Sequence, residues 1–188
     1  MKIGFAFCGS FCTFAPAIEQ MKKLSAAGHE IVPIMSFNAS SIDTRFGTAK
    51  EHIENIETIS GRSVIKTIED AEPLGPKEKL DMLIICPCTG NTLAKLALGV
   101  TDTPVTMAAK AHLRGDRPLL IALATNDGLS ANLSNLNAMQ KRKSVYFVPM
   151  LQDDPEKKPH SLVCDFSKLG DAFYAAIRRE QLRPLFLN

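Results

Sequence analysis

No apolar run in this 188-residue chain approaches the ~20 residues needed to cross a bilayer. The first apolar strand begins at Lys2, with no basic leader, long apolar stretch or small-residue cleavage site ahead of it, so no signal peptide is expected. A surplus of one charge is missing too: 22 Lys and Arg against 20 Asp and Glu leave a formal +2. Basic residues are scattered apart from Lys141-Arg142-Lys143, which argues against nucleic acid as a main partner. Cys-rich loops are lacking. Of the five cysteines, four (Cys8, Cys86, Cys88 and Cys164) stand in or beside apolar strands, with Cys12 the fifth. An odd count without secretory features points to reduced thiols in a soluble, cytoplasmic protein. Cys8-x-x-x-Cys12 and Cys86-x-Cys88 do not have zinc-knuckle spacing, so small residues filling tight turns are favoured over a metal site. The G-x-G-x-x-G dinucleotide fingerprint is absent as well, its place taken by Gly4-Phe5-Ala6-Phe7-Cys8-Gly9.

What the chain does contain is an alternation of short apolar runs with helical patterns. Strands are expected at Ile3 to Cys8, Glu30 to Met35, Val64 to Ile68, Met82 to Cys86, Leu119 to Ala124 and Val145 to Val148. Helices are expected from about Pro16 to Ala27, over 39 to 59, after Thr92 as far as Gly99, from Val105 to Leu113, over 132 to 141 and over 166 to 182. The stretch 69 to 79, with Pro73, Gly75 and Pro76, reads as a loop or a strand with broken turns, and the charged segment 153 to 159 as a loop. Length and alternation together imply one domain, residues 1–188, built as a doubly wound, mostly parallel sheet with helices on both faces.

In such a sheet the loops after the strands share one edge, and ligands bind there. Four of these loops carry small or polar residues: Gly9-Ser10, Ser36-Phe37-Asn38, Pro87 to Thr92, and Thr125-Asn126. Gly9 permits close backbone approach and Ser10 adds a hydroxyl ahead of a helix start, a combination that suits a phosphate, although an ordinary strand-to-helix turn explains it equally well. Ser36 supplies a second hydroxyl or a plain turn serine. Thr89, Asn91 and Thr92 cluster hydrogen-bonding side chains at one helix start. A cap at Thr92 and a left-handed turn at Asn91 would explain some of them, and ligand contact explains all three.

Pro87-Cys88-Thr89-Gly90-Asn91-Thr92 resembles the Pro-Ala-Ser-Ala-Asn-Thr signature of the homo-oligomeric flavin-containing cysteine decarboxylases, a flavodoxin-like, FMN-binding family. The resemblance implies that Gly9, Ser10, Ser36 and Asn38 lie about the FMN phosphate and that Pro87, Cys88, Thr89, Asn91 and Thr92 meet the ring edge. It places Thr125 and Asn126 on the substrate side, where the family carries Ala-Pro-x-Met-Asn. Ala71-Glu72-Pro73-Leu74-Gly75-Pro76, the Cys-Thr-Gly-Asn-Thr variant and Cys8-Gly9-Ser10-Phe11-Cys12-Thr13 are most similar to one branch of that family. That branch supplies the flavin subunit of a two-subunit oxidoreductase of sporulating bacteria. It implies a dehydrogenase-like A subunit carrying NADP(H), a dihydropyridine dicarboxylate substrate, location in the mother-cell cytoplasm and a trimeric or dodecameric homo-oligomer.

Departures from the family matter here. Thr125 replaces the methionine, and the substrate clamp shrinks to Asp127-Gly128-Leu129-Ser130. The decarboxylases' histidine has no clear counterpart: His52 is nearest in order but reads as a surface residue, and His29, His112 and His160 read as solvent-facing. Decarboxylation of a cysteinyl substrate and a non-catalytic flavin-binding subunit are therefore the alternatives, and no catalytic residue is assigned.

Overall fold

The structure, a computed structural model, describes residues 1–75 and 77–187; Pro76, the last residue of the Ala71 to Pro76 match, lies outside them. Strands β1 (Lys2–Phe7) and β2 (Glu30–Met35) pair in parallel, Lys2 opposite Glu30 through Phe7 opposite Met35. β3 (Met82–Cys88) lies on the other side of β1, and β4 (Leu119–Thr125) lies beside β3. Three short strands complete the sheet: β5 (Val145–Phe147), β6 (Met150–Leu151) and β7 (Leu162–Cys164). The order is β2-β1-β3-β4-β7-β6, with β5 pairing in parallel with the first half of β4. β7 runs antiparallel to the last two residues of β4, and β6 runs antiparallel to β7. This is one mixed, mostly parallel sheet, as the alternation of elements implied.

The side-chain period of two divides the core into two layers. Ile3, Phe5 and Phe7 of β1 pack with Met82, Ile84 and Leu120 against α1 (Phe14–Ala26), α3 (Ala49–Ser60) and α8 (Leu169–Ile177). Ala6 and Cys8 face the other way, with Leu83, Ile85 and Ile121, against α5 (Gly90–Leu98), α6 (Pro104–Leu113) and α7 (Leu133–Gln140). Gly4 is closely packed: a Cβ there would stand 2.7 Å from Leu80 Cδ1 and 2.8 Å from Leu83 Cδ1, so both leucine tips would have to move.

Several boundaries differ from expectation for local reasons. The helical stretch 39 to 59 is two helices, α2 (Phe37–Ser41) and α3, parted by a turn in which Thr44 and Gly47 exchange backbone hydrogen bonds. Thr48 then starts α3 with a capping box: its hydroxyl accepts from Glu51 N at 3.1 Å while the Glu51 carboxylate accepts from Thr48 N at 2.8 Å. The strand expected at Val64 to Ile68 is a single bridge, Ile34 to Ile65, because the Thr67 hydroxyl caps α4 (Ile68–Ala71). The final helix stops at Ile177, followed by Arg179 at φ 66. The β6–β7 pair was not legible, since strands of two and three residues show no periodicity.

Candidate functional site: a cleft at the switch point of the sheet

From β1 the chain winds outward to β2, and from β3 it winds the opposite way to β4. The helices that follow β1 and β3, α1 and α5, consequently pack on opposite faces of the sheet. The two loops part at the carboxyl edge and leave a crevice between them, the place where open α/β sheets bind ligands. A cleft of about 730 Å³ occupies it, a volume within the range of small-molecule sites.

The first wall is the loop after β1. Ser10 takes the left-handed conformation at φ 68, a region a non-glycine side chain rarely enters, and Thr13 N closes back on Ser10 O at 2.9 Å. The amides of Ser10, Phe11 and Cys12 ahead of that closure donate no backbone hydrogen bond among the described residues. A short run of open N–H groups on a turn is a cradle for an anion. Gly9 lies against the second wall, where an added Cβ would stand 3.3 Å from Thr89 Cγ2.

The second wall is the turn from β3 into α5. Cys8 N donates to Pro87 O at 3.2 Å, which holds the two loops side by side. The helix is capped by Thr89, whose hydroxyl accepts from Thr92 N at 3.2 Å, and not by Thr92. The Thr92 hydroxyl is buried, accepting from Thr89 Oγ1 at 3.1 Å and donating to Cys8 Sγ at 3.2 Å. Thr92 thus braces the two loops from behind, while Thr89 and Asn91 face the cleft.

The third wall is the turn after β4. Thr125 Oγ1 donates to Asp127 Oδ1 at 2.5 Å, Asn132 Nδ2 donates to Asp127 Oδ2 at 2.8 Å, and Asn135 Nδ2 donates to Asn132 Oδ1 at 2.9 Å. Gly90 sits directly on this network. A Cβ there would fall 2.5 Å from Asn132 Nδ2, 2.6 Å from Thr125 Oγ1 and 2.7 Å from Asp127 Oδ1. Ser161 and Val163 of the β7 region continue the wall, together with the pair Asp153 Oδ2 and Lys158 Nζ at 2.6 Å. The hydrogen bond from Lys158 and a further one from Ser161 hold the Asp153 carboxyl below its usual range, and Asp153 in turn raises Lys158.

Of the residues singled out from the sequence, Ser10, Thr89, Asn91, Thr125 and Asn126 line this cleft. Gly9 stands beside it. Pro87 and Cys88 are buried in β3 behind it, along with Thr92. Ser36 is one strand away: its amide donates to Phe7 O at 2.9 Å and its hydroxyl caps α2 by accepting from Ala39 N at 3.3 Å. Asn38 is exposed on α2. Sequence reasoning missed Cys12, Thr13, Gly90, Asp127, Asp153, Lys158 and Ser161 as cleft residues. The Thr125-x-Asp127 spacing carried a signal for Asp127. None existed for Lys158, which a 36-residue hydrogen-bond closure, Ser161 Oγ to Thr125 O, brings to the cleft.

The four cysteines in or beside strands are buried, and His112 departs from the solvent-facing position expected of it. Burial pushes the Cys8 thiol up to about 11 and raises Cys86, Cys88 and Cys164 as well, so none of the four offers a thiolate near neutral pH. Cys12 is the exposed one. His112 is fully buried, not solvent-facing, and its Nε2–H donates to Pro118 O at 2.8 Å. His29 is half-buried against Phe173, with 5.3 Å between ring centroids. His52 is likewise half-buried and packs edge-on to Phe14 at 4.9 Å, lining a separate groove between α1 and α3. No histidine lines the cleft among the described residues.

An open-amide loop, a threonine-capped helix start and a polar turn therefore surround a space that suits a ligand with an anionic tail and a hydrogen-bonding planar edge. The fold and this cleft define a flavoprotein: residues 1–178 match the Flavoprotein family, and the chain belongs to it. Within that family it is similar to a named enzyme subunit. It is 42% identical to the B subunit of dipicolinate synthase from Bacillus subtilis (strain 168) over 187 residues, spanning 100% of this chain and 94% of that protein. The crystal structure of the dipicolinate synthase B subunit from Bacillus halodurans C matches with a TM-score of 0.91 at 37% identity, covering 100% of this chain and 96% of that one. The FMN-dependent cysteine decarboxylase SpaF shares the fold, with a TM-score of 0.72 at 21% identity over 95% and 96% of the two chains.

Proposed function

We propose that this chain is the FMN-binding B subunit of a dipicolinate synthase, acting with an A subunit that carries NADP(H) to oxidise dihydrodipicolinate to dipicolinate during bacterial sporulation. The observation that carries this reading is the 42% identity to a B subunit over the whole chain. FMN, when bound, supplies a two-electron acceptor. The protein's part is positioning. Ser10 and the open amides of Ser10 to Cys12 hold the phosphate, with Gly9 admitting it to the backbone; Ser36 and Asn38 flank that end. Thr89 and Asn91 meet the ring edge on a turn made rigid by the Thr89–Thr92–Cys8 hydrogen bonds. Asp127 fixes the Thr125 hydroxyl on the substrate side, and Lys158 is the cation among the lining residues that can meet a substrate carboxylate. Aromatisation of the dihydropyridine favours loss of its proton, so a cleft without histidine is compatible with the reaction. The protein works as a homo-oligomer, trimeric or dodecameric, as the family resemblance implies.

Purified protein mixed with the A subunit, with and without added FMN, tests the reading by following dihydrodipicolinate oxidation. FMN-dependent turnover by the pair is the expected result. Carbon dioxide release from a cysteinyl substrate by this chain alone would establish the decarboxylase instead. Full synthase activity with an Asn91→Ala chain that no longer takes up FMN would reduce it to a structural partner.

A further inference from the structure

The opposite, amino-terminal end of the sheet carries a second polar hollow, of about 340 Å³, at the start of β5 and the end of α8. Arg142, Arg179 and Arg183 line it, and no carboxylate does among the described residues. Its surroundings are strongly basic: Lys141, Arg142, Lys143, Arg178, Arg179 and Arg183 crowd two short segments of a chain whose overall charge is only +2. The nearest acids are already engaged. Asp116 Oδ2 pairs with Lys143 Nζ at 2.7 Å, and Glu180 Oε2 pairs with Arg178 Nε at 3.2 Å.

Two of the three guanidiniums are held in place by hydrogen bonds to neutral groups, and the Asp116 carboxylate, itself bonded to Lys143, is also within electrostatic reach of Arg179. Arg179 Nη1 donates to Asp116 O at 2.6 Å and to Ser144 Oγ at 2.9 Å, and Arg142 Nη1 donates to Leu96 O at 3.3 Å. Both Ser144 and Arg179 take left-handed backbone conformations, φ 64 and φ 66, Arg179 where α8 ends with Glu180 N closing back on Ala175 O at 3.0 Å. Such conformations cost free energy in non-glycine residues and cluster at ligand clamps. Two other polar side chains of the wall are engaged by the protein itself: Ser144 Oγ donates to Asp116 O at 3.1 Å, and Gln181 exchanges hydrogen bonds with the backbone of Phe147. What the hollow presents is therefore guanidinium groups with N–H donors left over after these bonds, two of the three partly immobilised in advance, which is the chemistry that recognises oxyanions.

We propose that Arg142, Arg179 and Arg183 form a binding site for a compact polyanion, carrying two or more charges on phosphate or carboxylate oxygens, at the end of the sheet remote from the flavin cleft. The site does not depend on the flavin reading. Isothermal titration at low salt, with inorganic pyrophosphate and separately with pyridine-2,6-dicarboxylate, tests it and distinguishes the two sources of charge. Saturable binding of either anion is expected, weakened at least ~10-fold by Arg183→Gln. Arg183 makes no hydrogen bond or ion pair among the described residues, so its replacement leaves the fold intact even where Arg179→Gln does not. Binding should be unchanged in Arg178→Gln, which lies outside the hollow. Absence of saturable binding, an equal loss in Arg178→Gln, or binding that Arg183→Gln leaves unchanged would overturn the proposal: the first by showing no site, the second a diffuse field, and the third an anion held elsewhere, as in the flavin cleft.

Discussion

Gly90 opens α5 with its backbone pressed onto the Asp127 network, leaving no space for a methyl group. Gly90→Ala must displace Asn132, Thr125 and Asp127 together, so FMN affinity should fall at least ~10-fold, about 1.4 kcal/mol, while the circular dichroism of the fold is kept. Fluorescence titration of the flavin measures it, and unchanged affinity would show that this contact does not shape the cleft. Cys12 offers a second check. It is the exposed cysteine, at the cleft, whereas the other four are buried. A thiol reagent should label one site rapidly in the folded protein, Cys12→Ser should abolish that labelling, and bound FMN should slow it. Thr89 and Asn91 were legible as cleft residues because three polar side chains at one helix start exceed what capping needs. Thr92 belonged to the same triplet, but its role as a brace depends on Cys8, 84 residues away, a contact that no local pattern encodes.

The capping box at Thr48 does what its sequence suggests, supplying N–H partners where a helix start lacks them. Thr48→Ala should cost about 1 kcal/mol, which for a chain of this size lowers the melting temperature by roughly 2–4 °C. Calorimetry of the two proteins decides it, and an unshifted transition would mean the first turn of α3 contributes nothing to global stability. The parallel strands were readable because burial on both faces makes them continuous apolar runs. Their helices were readable from the 3.6-residue period and from stops such as Gly61 and Gly99, both left-handed in the structure. The split between α2 and α3 was not. It is set by Asp43, whose carboxylate accepts from Ala49 N at 2.8 Å, and by the Thr44–Gly47 turn, neither of which disturbs the helical spacing of the apolar residues.

The arrangement as a whole stores one titration in its interior. His112, on α6, faces the start of β4, with Nε2–H on Pro118 O and no partner for Nδ1 among the described residues. Burial is the main cause lowering its pKa to about 4 from the usual 6.5. The unfolded chain therefore binds this proton more readily than the folded one between those values. The stability is fully present above pH 6.5 and is lost as pH falls toward 4, by up to about 3 kcal/mol. Denaturant melts between pH 7 and 4 should show that loss, and His112→Gln should flatten it. An unaltered slope in the variant would assign the acid sensitivity elsewhere.

β4 changes neighbour partway along its length, from β5 at its first three residues to β7 at its last two. The cleft wall bearing Ser161 and Val163 is thereby fastened to the main sheet by a ladder far shorter than those joining the central strands. Opening that hairpin need not disrupt β1, β3 and the first half of β4. Deuterium uptake should accordingly begin at Val163 well before it reaches Ile84 or Ile121, and a ligand spanning the crevice should slow uptake at Val163 selectively.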